Sequence, residues 1–535
     1  MYPTVRKDGP IRGAPVAASL TMVLILMLLC LLPGSGRSQT EAFQVVETTI
    51  GQIHSAYESG ALTARQLVQL YLDRIAAYDQ QGPSLNAIIT LNPNVLDEAE
   101  RLDAVFQSSG FIGPLHGIPV IVKDQFDVTG MPTTLGSILF QDYYPDRDAF
   151  VTERLKEAGA IILAKATLGE LAGGDTHGSL FGSTRNPYAL DRTVGGSSGG
   201  SGASVAANFA TVAVGQEGFA SIRRPSGWNM VVGMRTSAGL VSRGGVFAGW
   251  PEVTGSLGPM ARTVTDLATL LDAMVGYDPE DPLTAHGVGH IPETFTTFLD
   301  RDALRGARLG ILRESIGVGS EPESEDFAKV AVRFDRAVTE LEVAGATVVD
   351  PIVIPNLTEL LSKRASSPTE ADESFKVFFG RSASSPFASI QEMISSPDFD
   401  KITGYAQSRF LATSDMSRHY AYLTARHELM VSFLKVMADN SLDAIVYKAV
   451  EHQPTLIEDG VNPPFVHHKG VPSINTFLVS VPAIVVPAGF TDDDLPVGIT
   501  FMGRPYDDGA MLRLAYAYEQ ATHHRRPPST TPPLR

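Results

Sequence analysis

Eight consecutive residues, Gly195-Gly196-Ser197-Ser198-Gly199-Gly200-Ser201-Gly202, carry nothing larger than a hydroxymethyl side chain, and they run straight into the small apolar stretch Ala203–Val214. A Gly/Ser tether is a solvated random coil, and one that flows directly into core-like sequence does not behave as a tether. Glycine in such a place lets backbone approach a ligand or another segment closely. The octet therefore predicts a tightly packed junction, with a buried helix over Ala203–Val214.

Helix and strand signals alternate around this junction. Thr63-Ala64-Arg65-Gln66 is a capping box, after which Leu67, Tyr71, Ile75 and Tyr78 recur at helical spacing. Ala87–Leu91 reads as a strand and Val95–Val105 as a helix. Ile118-Pro119-Val120-Ile121-Val122 is an unbroken apolar run, as in strands covered on both faces, and it stops at Lys123-Asp124. Phe150–Ala158, Phe327–Val343, Tyr420–Met437 and Met511–Gln520 read as helices. Ile161–Leu163, Arg308–Leu312, Thr347–Val349, Ala444–Tyr447, Ala483–Val486 and Val497–Met502 read as strands. The alternation predicts an α/β protein with a mostly parallel sheet under helices. Ser366–Asp400, weakly periodic and rich in small polar residues, reads as an irregular insertion near the mouth of a substrate pocket.

The N-terminus differs from the rest. Arg6, Lys7 and Arg12 precede the apolar run Ala17–Leu32, which Pro33-Gly34-Ser35-Gly36 breaks. A basic head, a short apolar segment and small residues describe a secretory signal peptide, and the run is short for a bilayer span, which needs about 20 residues. Residues 1–38 are read as that signal and 39–535 as the mature, secreted chain; an uncleaved membrane anchor is the alternative. Cys30, the single cysteine, falls inside the signal, so the mature chain has no thiol for a disulfide, a nucleophile or a metal site. The sequon Asn356-Leu357-Thr358 is compatible with a secretory route. A net charge of −17 over 535 residues disfavours a nucleic-acid partner.

Of three readings of the Gly/Ser octet, the tether is already set aside. Gly196-Ser197-Ser198-Gly199-Gly200 satisfies G-x-S-x-G, the nucleophile elbow, but that motif needs a strand immediately before it, and Asn186–Thr193 reads as loop. The adjacent pairs His467-His468 and His523-His524 lack an H-E-x-x-H context and read as surface or structural histidines; the sequence implies no metal and no cofactor. The third reading takes in the next thirty residues. The chain continues to Gly218-Phe219-Ala220-Ser221-Ile222-Arg223 and then Val231-Val232-Gly233-Met234-Arg235-Thr236. This resembles the amidase signature, a long Gly/Ser-rich segment ending in Ser-Ile-Arg. Gly182–Pro187, Gly258–Val264, Leu495–Ile499 and Gly503–Pro505 are similar to flanking motifs of the same family.

The resemblance implies a single amidase-signature domain: a large mixed, mostly parallel sheet flanked by helices on both faces. It implies hydrolysis of a carboxamide C–N bond by a serine acyl-enzyme, with Ser221 as nucleophile, Ser197 as the bridging serine twenty-four residues earlier, and Lys123 as the base. Ser198 and Arg223 are implied as supporting groups, and the backbone of Gly218, Phe219 and Ala220 as the oxyanion donors. The chemistry fits these residue types, because a serine hydroxyl needs a base within hydrogen-bond reach and lysine can be one only if burial keeps it neutral. The implied substrate is a small amide, and the expected assembly a monomer or homodimer, with membrane contact only if the N-terminal segment stays uncleaved. The match departs where the family has two glycines: Phe219 and Ala220 stand there. If that loop needs positive φ, a bulky residue would cost about 1–3 kcal/mol; the preferred expectation is a pocket reshaped by Phe219, with Glu217 still meeting Arg223. Two alternatives stay open: an amidotransferase subunit, and a non-catalytic scaffold.

Overall fold

The computed structural model describes residues 43–247, 255–365, 368–413 and 415–534; the signal-peptide reading and Cys30 lie outside the described residues. Val45–Arg535 forms one compact unit.

Eleven strands make its central sheet: β1 (Ile88–Leu91), β2 (Pro119–Lys123), β3 (Ile161–Ala166), β4 (Val212–Glu217), β5 (Val232–Arg235), β6 (Ser256–Ala261), β7 (Arg308–Leu312), β8 (Thr347–Ile352), β9 (Ala444–Lys448), β10 (Ala483–Phe490) and β11 (Pro496–Met502). Their spatial order is β1-β3-β2-β4-β6-β5-β10-β11-β9-β7-β8. The sheet is mixed, as expected, but its parallel share is smaller than the sequence implied. Parallel pairing joins β3-β2-β4 on one flank and β9-β7-β8 on the other; the remaining six pairings are antiparallel. The reason is in the connections. Parallel neighbours need a crossover of a dozen residues or more, and helices supply it on the flanks, Phe150–Glu157 between β2 and β3 and Glu325–Val343 between β7 and β8. At the centre β10 returns directly into β11 through Thr491–Leu495, whose ends are closed by a backbone hydrogen bond of 2.9 Å.

Every residue of β2, β3, β4, β5, β6, β9 and β11 is buried, so both faces of the sheet are covered. Helix Met416–Asp439 supplies Tyr422, Leu429 and Phe433 to a cluster with Leu312, Ile445 and Met502. The helix expected over Ala203–Val214 is displaced. Gly199–Ala206 is helical and Val212–Glu217 is strand β4, so the Gly/Ser octet begins the helix instead of preceding it. Glycine there serves close approach, since a Cβ on Gly200 would collide with the Thr167 carbonyl. Ser366–Asp400 is also less irregular than expected, because Pro368–Phe379 and Ile390–Ile394 are helices. Phe375, Phe378 and Phe379 pack with Leu135, Phe140 and Leu171, an aromatic anchor that the polar composition concealed.

Candidate active site

Lys123 ends β2 and is wholly buried. Its Nζ donates to Ser197 Oγ at 2.7 Å. Burial pushes the Lys123 ammonium well below its ordinary 10.5, and the carboxylate of Glu217 offsets this only in part. Ser197 itself is buried, following a cis Gly196–Ser197 peptide. The Gly196 carbonyl accepts from Arg224 Nε at 3.2 Å and Nη2 at 2.9 Å, and Arg224 is ion-paired to Asp175 at 3.2 Å. Sequence reasoning passed over Arg224; the only signal was its position beside Arg223 in a buried helix.

Two segments of the chain are stitched together here. Ser198 N–H donates to the Ser221 carbonyl at 3.0 Å, and Ser198 Oγ donates to the Gln216 carbonyl at 3.1 Å. Ser198 is therefore buried and committed to the backbone, which disposes of the nucleophile-elbow reading: such a serine must present its Oγ to a substrate. The residues before it correct one detail, since Ala189–Thr193 is a strand, but of a two-stranded ribbon with Arg185–Asn186, outside the main sheet.

Ser221 is half-buried and lines a cavity of about 610 Å³ together with Gly196, Gln216, Gly218, Phe219 and Ala220. Among the described residues no hydrogen bond joins Ser221 Oγ to Ser197. The backbone N–H groups of Gly218, Phe219, Ala220 and Ser221 likewise donate to no acceptor among the described residues, whereas those of Ile222 and Arg223 both donate to Glu217 Oε2, at 3.0 and 2.8 Å. A run of uncommitted donors beside a cavity can receive a developing negative charge.

Glu217 does meet Arg223. Its Oε1 accepts from Arg223 Nε at 2.7 Å, and Arg223 Nη2 stands 2.6 Å away. Burial alone would raise the Glu217 carboxyl, but Arg223 and Arg235 outweigh it and hold it below its usual value. Arg223 Nη1 also donates to the Tyr447 hydroxyl at 2.7 Å, and Tyr447 donates to Asn475 Oδ1 at 2.9 Å. These contacts tie the segment after Ser221 to β9 and to helix Ile474–Phe477.

Neither Phe219 nor Ala220 is among the residues of positive φ, so the departure from glycine carries no backbone strain. Phe219 turns its ring into the cavity wall, with the Arg364 guanidinium 3.9 Å above its centroid and the His468 ring edge-on at 5.3 Å. His468 thus belongs to the cavity and not to the surface. His524, of the other pair, meets Glu340 at 2.8 Å, a structural contact as expected. Ser374 lines the same cavity, which puts the Ser366–Asp400 insertion at the pocket. Among the described residues no group of three or more His, Cys, Asp or Glu is placed to hold a metal ion.

The fold and this geometry define a class of protein in which a β-sheet delivers a buried lysine to a serine, beside a second serine in a cavity. The model of one family, Amidase, matches residues 66–512, and this chain belongs to the Amidase family. Among its relatives, an Arabidopsis thaliana protein named "Probable amidase" is 33% identical over 91% of this chain and 93% of its own length. A glutamyl-tRNA(Gln) amidotransferase subunit of Symbiobacterium thermophilum is 34% identical over 90% of this chain and 98% of its own length. The X-ray structure of native peptide amidase from Stenotrophomonas maltophilia superposes with a TM-score of 0.80 at 33% identity, over 91% of this chain and 99% of that one.

Proposed function

We propose that this chain hydrolyses the C–N bond of small carboxamides by acyl transfer to Ser221. One observation carries the reading: Lys123, wholly buried and well below its ordinary pKa, stands 2.7 Å from a serine hydroxyl. A neutral amine in that contact is a base. Lys123 Nζ takes the Ser197 proton as Ser197 Oγ takes that of Ser221. Ser221 Oγ bonds to the amide carbon, and the oxyanion that forms is held by the free N–H groups of Gly218–Ser221. The C–N bond breaks as the proton returns along the same path to the leaving nitrogen. Water then repeats the sequence on the acyl-Ser221 ester and releases the acid. Arg223 and Glu217 keep the Ser221 segment in place. The likeness to peptide amidase supports an amide as substrate.

Fluorophosphonate labelling tests this. Wild-type protein should label and lose the label in Ser221→Ala, with folding intact by circular dichroism. Retained labelling in that variant sinks the assignment, and folded wild-type protein that never labels favours a non-catalytic scaffold. The likeness to an amidotransferase subunit motivates a second reading; ammonia release from glutamine only in the presence of a partner protein would establish it. The proposal extends to secretion after removal of residues 1–38, which N-terminal sequencing of exported protein would check.

A further inference from the structure

Four arginines, Arg224, Arg364, Arg409 and Arg426, line the cavity, and no Asp or Glu does so among the described residues. They are not equivalent. Arg224 is committed to Asp175 and to the carbonyls of Gly174 and Gly196. Arg409 donates to the Leu171 carbonyl at 3.2 Å. Arg426 stands 5.7 Å from the Tyr422 ring centroid. Arg364 is different: among the described residues its guanidinium has no hydrogen bond and no ion pair, only the ring of Phe219. Burial pushes its pKa down, and the nearby hydroxyls of Tyr422 and Tyr405 offset this in part.

A guanidinium seated over an aromatic ring spends no N–H donor on that contact, and the fork of its donors matches a carboxylate. A half-buried cation without an anion is costly unless a ligand supplies one. We propose that Arg364, held on Phe219, is the anion-recognition residue of this cavity, so that the preferred substrates are amides carrying a carboxylate. The inference rests on the amidase reading for its turnover and not for its binding. It also gives the Phe219 departure a purpose, since the ring that replaces glycine is the platform beneath the cation.

The test separates the two readings. Ser221→Ala protein is titrated calorimetrically with two matched pairs, succinamate against succinamide (charge on the acyl side) and N-acetylglycine against N-acetylglycinamide (charge on the amine side). The charged member of one pair should bind more tightly, and which pair does so locates the carboxylate. Adding Arg364→Gln should shrink that preference roughly 10- to 100-fold, Arg364→Lys should keep part of it, and Arg364→Glu should reverse it. Equal binding within both pairs, or a preference that survives Arg364→Gln, overturns the proposal. Absence of fluorophosphonate labelling in wild-type protein would sink the acyl-transfer reading while these titrations still decide the role of Arg364.

Discussion

Two lysines on neighbouring parallel strands share their burial and differ in the partner each one meets. Lys123 on β2 and Lys165 on β3 are both completely buried. Val122 lies opposite Lys165 and Lys123 opposite Ala166, so the two side chains leave the sheet on opposite faces. On one face Lys165 meets Asp124 at 2.8 Å, with the Pro132 carbonyl and the Thr133 hydroxyl at 2.7 and 2.8 Å. On the other face Lys123 meets a hydroxyl. Burial is common to both and explains neither role. The partner differs: Lys165 makes an ion pair with a carboxylate, whereas Lys123 makes none among the described residues, and burial holds it well below its ordinary value.

This contrast can be broken experimentally. The largest effect is expected from exchanging the lysines for methionine. Lys123→Met should lower the turnover or labelling rate of Ser221 roughly 10²- to 10⁴-fold without loss of stability at neutral pH. Lys165→Met should instead leave Asp124 as an uncompensated buried anion and cost about 3–5 kcal/mol, read by urea unfolding. If the two variants exchange these outcomes, the distinction fails.

The pH dependence sharpens it. Lys123 is depressed below 10.5 when folded, so between that depressed value and 10.5 the unfolded chain binds the extra proton. Stability due to this residue therefore rises with pH across that window, and activity rises as Lys123 loses its proton at the lower edge. The stability difference between Lys123→Met and wild type should accordingly shrink as pH climbs, as seen in thermal melts at a series of pH values. A constant difference would mean that Lys123 is charged in the folded protein.

The smallest effect is expected at Phe219. Since φ there is not positive, Phe219→Gly should bring no gain in stability. Removing the ring under Arg364 should cost about 0.5–2 kcal/mol, a loss of roughly two- to thirtyfold in the preference for a charged over a neutral amide. A more stable Phe219→Gly protein would show that the loop is strained after all.

The approach of Lys123 to Ser197 was more legible than the sheet. Lys123, Ser197 and Ser221 stand in ordered motifs that survive in sequence because each motif is local. The strands β5 and β6 carry no strand signal of their own, and the first half of β4, Val212–Val214, reads as the end of a helix. Ser256-Leu257-Gly258-Pro259-Met260-Ala261 carries both glycine and proline, and Val212-Ala213-Val214-Gly215 is too small and short to separate strand from buried helix by periodicity. Neither could be read without the neighbours that pair with it. Arg364, Arg409 and Arg426 escaped for a related reason: they are far from the signature in the chain and reach the cavity only through the fold.

The order of residues alone determined that a lysine would end an apolar strand, that a glycine-rich junction would pack tightly, and that two serines would stand twenty-four positions apart. Those are properties of local composition and spacing. Only the tertiary structure decided which face of the sheet each lysine enters, and hence which one finds an anion. It also decided that Ser198 N–H reaches the Ser221 carbonyl and that Phe219 carries a guanidinium. Protonation and recognition depend on what surrounds a group in three dimensions, and chain order does not specify those neighbours.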